Sequence, residues 1–261
     1  MLLMDNYEDF KKDVYSLTKI DLNAYKEKQM KRRIDSLISK RSVSNYKDYV
    51  KLLKDDKDAF EEFVGFLTIN VSEFYRNPEQ WDLFVGEFVP ELISKFGKRL
   101  KIWSAACSTG DEPYSLVMAL SKYIDLSQIK IIATDIDKQI LAQAKVGLYS
   151  EKSIANVPEE YKKKYFTKVG PSYQIDEKIK KCVEFRQHNL LRDQYFDDCD
   201  LIVCRNVLIY FTDEAKFEVY GKFAKSLKKN GILFIGNTEQ IIDYAKLGYK
   251  RRYSFYYEKD K

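Results

Sequence analysis

Few residues in this chain have the type and spacing to do chemistry. Gly110 is followed at once by two acids, Asp111 and Glu112, Asp135 stands 25 residues past that glycine, and His188 is the only histidine. A single histidine excludes a multi-histidine metal centre and makes a Ser-His or Cys-His nucleophilic triad a poor fit, so the chemistry must need little proton transfer. The turn A-A-C-S-T-G lacks G-x-G-x-x-G and no Walker lysine follows it, while acids beside it would repel a phosphate. Those acids suit a cationic ligand. A carboxylate at Asp135 suits the vicinal hydroxyls of a ribose, and a ribose with a cation points to S-adenosylmethionine.

These residues need elements to hold them. Leu100–Ser115 reads as an apolar strand, a tight turn and the start of a helix, and the mouth of such a turn is where an open parallel sheet takes its ligand. Lys130–Asp137 reads as a second strand ending in acids, and Val183–Leu190, Asp200–Asn206 and Gly231–Thr238 as further strands, with Glu214–Leu227 helical between the last two. The alternation predicts a doubly wound α/β sheet. Ile241–Glu258 should add a final pair with the aromatic run Y-S-F-Y-Y. The 45 residues between Asp137 and Val183 exceed one crossover helix, so a small antiparallel β insertion is expected at about 165–182, with short alternating stretches at Ser172–Ile175 and Lys178–Val183.

Upstream, 7–67 carries helical periodicity throughout: Val14, Leu17 and Ile20 for one helix, Leu22 to Ile38 for a second, Tyr46 to Leu53 for a third, Phe60 to Leu67 for a fourth. The second carries Lys28, Lys31, Arg32 and Arg33 away from its apolar side, either a solvated face or a docking face for an acidic partner. T-I-N-V-S-E-F-Y-R-N-P at 68–78 breaks the period, and an amphipathic helix from Trp81 to about Gly97 follows. The domains expected are 1–80 helical, 81–97 linking and 98–261 containing the sheet.

Composition adds bounds. The chain has 261 residues, 45 % apolar and 33 % charged, enough for a sizeable core. Its net charge is +5, and with 15 Lys/Arg against 15 Asp/Glu in residues 1–80 the whole excess falls in 81–261, too little and too dispersed to argue for nucleic acid. Four cysteines without C-x-x-C spacing read as reduced thiols rather than a zinc or disulfide framework. Without a signal segment or an apolar run long enough to span a bilayer, a cytoplasmic monomer is expected, with no metal and no membrane insertion.

The segments T-I-N-V-S-E-F-Y-R, W-S-A-A-C-S-T-G-D-E-P-Y-S, A-T-D-I-D, H-N-L-L and C-R-N-V-L-I-Y-F, in that order, resemble the CheR family of chemotaxis receptor glutamate O-methyltransferases. The resemblance covers nearly the whole chain. It implies a class I, Rossmann-like methyltransferase sheet behind an N-terminal all-α domain, with a β subdomain inserted. It also implies that Asn70, Ser72, Arg76, Glu112, Asp135, Asn189, Leu190, Arg205 and Asn206 bind the cofactor, that Arg76 and Tyr210 serve catalysis, and that the partner is the helical cytoplasmic part of a membrane receptor. Ser72 stands where relatives often have Thr and Asp111 where they often have Glu; hydroxyl and charge are kept. The implied reaction is attack of a glutamate carboxylate on the sulfonium methyl, leaving S-adenosylhomocysteine, and it needs no general base. A nucleobase-amine methyltransferase is the rival enzyme, but R-N-V-L-I-Y stands where an N-P-P-Y-like motif would be expected. A cofactor-binding adaptor without activity is the other rival.

Overall fold

Four helices and two chain segments make up the first of two compact units in the computed structural model, which describes residues 6–260. This unit comprises residues up to Asn70 together with Tyr210–Phe217; the second comprises Val71–Ile209 and everything from Glu218. Residues 71–80, read from the sequence as helical domain, therefore pack in the second unit, where Phe74 and Tyr75 enter its core.

In the first unit, α1 (Tyr7–Thr18), α2 (Glu27–Lys40), α3 (Tyr46–Asp55) and α4 (Lys57–Thr68) each turn a buried stripe inward, including Val14, Ile34, Tyr49 and Phe63. Asn6, Asn45 and Asp56 cap α1, α3 and α4 by accepting from backbone N–H groups in the first turn. The second helix begins later than its apolar residues suggest. Asp21 caps a 3-10 turn at Leu22–Ala24 and Tyr25 is extended, so Leu22 and Tyr25 are buried ahead of the helix. Tyr25 bridges antiparallel to Phe211, their rings edge to face at 4.9 Å.

The second unit opens with one long helical stretch: α5 (Pro78–Leu83), a π turn (Phe84–Phe88) and α6 (Val89–Phe96). Val89 N–H reaches Phe84 C=O, and this wider turn admits Pro90, which has no N–H to give. Then come β1 (Ile102–Ala105), α7 (Asp111–Leu120), β2 (Ile131–Asp135), α8 (Lys138–Val146), β3 (Leu148–Ser150), α9 (Glu159–Tyr165), β4 (Phe166–Val169), β5 (Ser172–Ile175), α10 (Glu177–Lys180), β6 (Val183–Gln187) and β7 (Cys199–Cys204). The chain ends with α11 (Asp213–Ser226), β8 (Leu227–Ile235), β9 (Tyr249–Tyr253) and β10 (Tyr256–Lys259). The main sheet has the order β6-β2-β1-β7-β8-β10-β9, parallel from β6 to β8, with β10 antiparallel to both neighbours. Chain order runs outward from β1 in both directions, so the topological switch point lies between β1 and β7.

Two expectations inside the insertion need correction. The subdomain starts at Leu148, not near 165: Gly147, at φ 71°, ends α8 and sends the chain into β3, which pairs with β5 in a three-stranded sheet ordered β3-β5-β4. The stretch Lys178–Val183 is not a strand before Val183. Asp176 accepts from Lys178 N–H at 2.7 Å and starts the turn α10, and one helical turn buries Ile179 as well as an alternating strand would. Lys130–Asp137 likewise ends as a strand at Asp135, because Asp137 is the N-cap of α8. All four cysteines are buried free thiols. No helix among the described residues is long and apolar enough to cross a membrane.

Candidate active site

The chain leaves β1 through a run of bends. Ala106 (φ 60°), Ser108 (φ 49°) and Gly110 (φ 87°) all take the left-handed conformation, which only the glycine adopts without cost. Cys107 N–H donates to Thr134 C=O at 2.8 Å and Ser108 N–H to the Asp135 carboxylate at 2.9 Å, tying the turn to the end of β2. A side chain at Gly110 would stand 3.0 Å from Ala144 Cβ and 3.2 Å from Tyr149 Oη, so the backbone there is closely walled.

Three carboxylates collect at this mouth. Asp111 opens α7, 1 % exposed, accepting from Thr109 Oγ1. Glu112 accepts from Ser104 Oγ at 2.9 Å and lies 3.8 Å from Arg205. Asp135 accepts from Ser108 and Asp137 N–H groups. Burial pushes Asp111 and Asp135 up to about 6 and Glu112 up to about 7. Burial also lowers Arg205, but a guanidinium keeps its proton in a protein, and its charge pulls Glu112 back toward ionisation.

Arg76 comes from the loop ahead of α5, in which Tyr75 (φ 50°) and Asn77 (φ 60°) are also left-handed. Its carbonyl is held twice, by Arg205 Nη2 at 2.7 Å and by Trp81 Nε1 at 3.0 Å. Its guanidinium is half-buried, 3.5 Å from Val71 C=O, and has no ion pair among the described residues. The backbone is pinned while the guanidinium is not. Arg205 itself, carried over from the sequence as a cofactor contact, is committed to this loop: it donates to Asn77 Oδ1 at 3.3 Å and Gln80 Oε1 at 2.6 Å and lies over Trp81 and Phe234.

Asn206 (φ 61°) follows β7, and the Glu239 carboxylate accepts from the N–H groups of Asn206, Val207, Leu208 and Gly236. Glu239 was not singled out from the sequence; its signal was an acid just past the β8 strand, where the other strand ends carry theirs. Gly236 is required by close approach, since a Cβ there would sit 2.7 Å from Asn206 N. Asn189 Oδ1 accepts from Leu191 N–H at 2.9 Å and so shapes the turn that buries Leu190. His188 lies edge-on to Trp103 with Nε2 3.1 Å from Gln194 C=O, a packed residue.

The second unit thus carries Ser72, Arg76, Glu112, Asp135, Asn189, Leu190, Arg205 and Asn206. Asn70 and Tyr210 belong to the first, where Asn70 Nδ2 donates to Thr68 Oγ1 at 2.9 Å and Tyr210 C=O accepts from Lys26 N–H at 2.9 Å. Of the four cations read as a docking face, Arg33 departs from that role. It donates to Phe66 C=O at 2.8 Å and stacks on the Phe66 ring, capping the end of α4. Lys31 is ion-paired with Asp35 at 3.1 Å, which leaves Lys28 and Arg32 exposed.

Comparison with known proteins gives the arrangement its family. The family model described as "CheR methyltransferase, SAM binding domain" matches residues 70–252, and "CheR methyltransferase, all-alpha domain" matches 5–68. The chain belongs to the CheR methyltransferase family. Relatives named "Chemotaxis protein methyltransferase" include one from Listeria monocytogenes, 42 % identical over 96 % of this chain and 98 % of its own, and one from Borreliella burgdorferi, 32 % identical over 91 % and 89 %. The CheR-family chain is therefore an S-adenosylmethionine-dependent methyltransferase with a class I sheet, as the resemblance implied. Its mouth fits that cofactor. Ser108 Oγ, Asp111 Oδ1 and Asn206 Oδ1 are buried without a hydrogen-bond partner, and three desolvated carboxylates favour a ligand bearing positive charge and hydroxyls. Among the described residues no group of three or more His, Cys, Asp or Glu could hold a metal ion.

Proposed function

We propose that this methyltransferase esterifies glutamate side chains on the helical cytoplasmic part of chemotaxis receptors, forming glutamyl methyl esters. The observation that carries the reading is Arg76: a cation without an ion pair among the described residues, on a backbone fixed by two buried donors, in the unit that also holds the carboxylate-lined mouth. The 42 % identical relative named for chemotaxis supports the choice of acceptor.

S-adenosylmethionine supplies an electrophilic methyl on a sulfonium. Asp135 would hold the ribose hydroxyls, and Asp111 and Glu112 would face the cationic end, with Ser72, Asn189, Leu190 and Asn206 completing the contacts. The attacking group is a glutamate, ionised at neutral pH from its ordinary pKa of about 4.3, so no protein base has to remove a proton. Arg76 holds that carboxylate by one oxygen and leaves the other to attack, since full neutralisation would weaken the nucleophile. Tyr210 keeps the catalytic role that the family resemblance implies for it. Arg205 acts at one remove, by fixing the Arg76 carbonyl. Lys28 and Arg32 meet an acidic stretch of the receptor.

The test is incubation with methyl-labelled S-adenosylmethionine and receptor cytoplasmic fragments, followed by mild alkali. Label released as methanol is expected of a carboxyl ester. Label that survives alkali places the methyl on another acceptor and overturns the reading.

A further inference from the structure

Tyr149, in the middle of β3, is buried, and its hydroxyl donates to Thr109 C=O at 2.7 Å, one residue before Gly110 in the turn that leaves β1. Burial raises this phenol, so it remains a donor at neutral pH. The ring also meets Phe74 edge to face, with centroids 4.7 Å apart and planes at 87°. Phe74 is fully buried, lies two residues before Arg76, and meets Phe166 of β4 in the same way at 5.3 Å and 82°. Its N–H donates to Ser153 C=O at 3.1 Å, in the turn after β3. One small sheet therefore touches the cofactor turn through a hydroxyl and the Arg76 loop through a ring. These contacts are separate in chemistry and share a single residue.

We propose that the three-stranded insertion is a brace, in which Tyr149 is a positioning residue for the cofactor turn and Phe74, seated between Tyr149 and Phe166, is a positioning residue for Arg76. This rests on the reading of the site given under Proposed function. The loop around Arg76 has reason to need it: with Tyr75 and Asn77 both left-handed, its conformation persists only if its surroundings hold it. A displacement of about 1 Å at a substrate-gripping residue can cost on the order of a hundredfold in rate. A sheet that served folding alone would leave the two functions uncoupled from its side chains.

The experiment compares Tyr149→Phe, Phe74→Leu and Arg76→Ala with the parent, measuring melting temperature, calorimetric affinity for S-adenosylhomocysteine, and kcat and KM with receptor fragments. Tyr149→Phe removes one hydrogen bond to a part-buried carbonyl and should weaken cofactor affinity about fivefold while kcat at saturating cofactor stays within about twofold. Phe74→Leu should lower kcat about tenfold with cofactor affinity within about twofold. Should Phe74→Leu fail to fold, Phe166→Leu, which removes the ring on the far side of Phe74, carries the same expectation. Variants that lower the melting temperature while keeping both constants at parental values overturn the brace. If Arg76→Ala abolishes turnover while Phe74→Leu retains full kcat, the brace falls and the site stands. If Arg76→Ala itself retains kcat, the reading of the site falls and the brace with it.

Discussion

The turn after β1 and the loop before α5 both bend through left-handed residues, yet they are held in opposite ways. The turn is fixed mainly by its immediate surroundings, with Cys107 on Thr134, Ser108 on Asp135 and Gly110 N–H on Cys107 C=O at 3.0 Å, and takes one further bond, from Tyr149, out of the insertion. The neighbouring parallel strands bring all but the last of these together as soon as β1 pairs with β2. The Arg76 loop is fixed from a distance, by Ser115 Oγ on Tyr75 N–H, by Ser153 on Phe74 and by Arg205, 129 residues away. A floor made mainly by strand pairing is a property of the fold. An arm held by scattered tertiary contacts can be displaced without disturbing the sheet.

This difference gives the largest predicted effect. Arg76→Ala should reduce kcat by about 10²–10³, in the range seen when one charge-stabilising donor is removed from an active site. Its melting temperature should be unchanged, because the half-buried side chain makes no ion pair among the described residues. A kcat within threefold of the parent, measured as ester formed per enzyme, would remove the arm from the chemistry.

The floor should respond in affinity instead. Asp135→Asn keeps an oxygen for the Ser108 or Asp137 N–H but loses the charge, and should weaken S-adenosylmethionine binding by about 10–100-fold, the worth of hydrogen bonds to a charged group. Calorimetry that returns parental affinity would break the assignment. Loss of kcat at saturating cofactor would blur the comparison itself, by showing that floor and arm are not separable.

The two regions also differed in how well the residues announced them. The strand, turn and acids of 100–115 were legible because their partners are strands with the same apolar signature, and the parallel sheet follows from that pattern. By periodicity, residues 71–77 showed only that the helical period stops there, and Ser72 and Arg76 were named by the family resemblance alone. Nothing local says that Arg205 donates to the Arg76 carbonyl, or that Glu239 gathers four N–H groups, because both depend on which strand ends become neighbours. The β insertion was visible as an excess of length, but its first strand was hidden in the three residues Leu148–Ser150, too short for a period to register. Arg33 misled for a related reason: helical spacing gives the direction of a side chain, and the acceptor at the end of α4 comes from another helix.

The floor makes a further prediction through pH. Burial raises Asp111 and Asp135 to about 6 and Glu112 to about 7, above their unfolded values of about 4, so their contribution to stability is full below that value and fades as pH rises through 6 to 7. A cationic ligand prefers them ionised, so its affinity should move the other way. S-adenosylmethionine binding should weaken about tenfold from pH 7.5 to pH 5, with proton uptake on release. S-adenosylhomocysteine, which lacks the sulfonium, should show a shallower slope. Equal slopes for the two ligands would mean that the carboxylates do not face the sulfonium.

The smallest effect belongs to neither region. With Arg33 capping α4 and Lys31 paired with Asp35, only Lys28 and Arg32 of the four basic positions stand exposed on α2. Both make exposed contacts at most, each worth under about 1 kcal/mol. Lys28→Glu and Arg32→Glu should each raise KM for receptor fragments about threefold at low salt, an effect that fades toward 0.5 M salt as the Debye length shrinks to a few ångströms. Arg33→Glu should instead lower the melting temperature, since it takes a donor from the end of α4. If Lys28→Glu and Arg32→Glu leave KM unchanged at every salt concentration, α2 presents a solvated face and receptor recognition lies elsewhere on the protein.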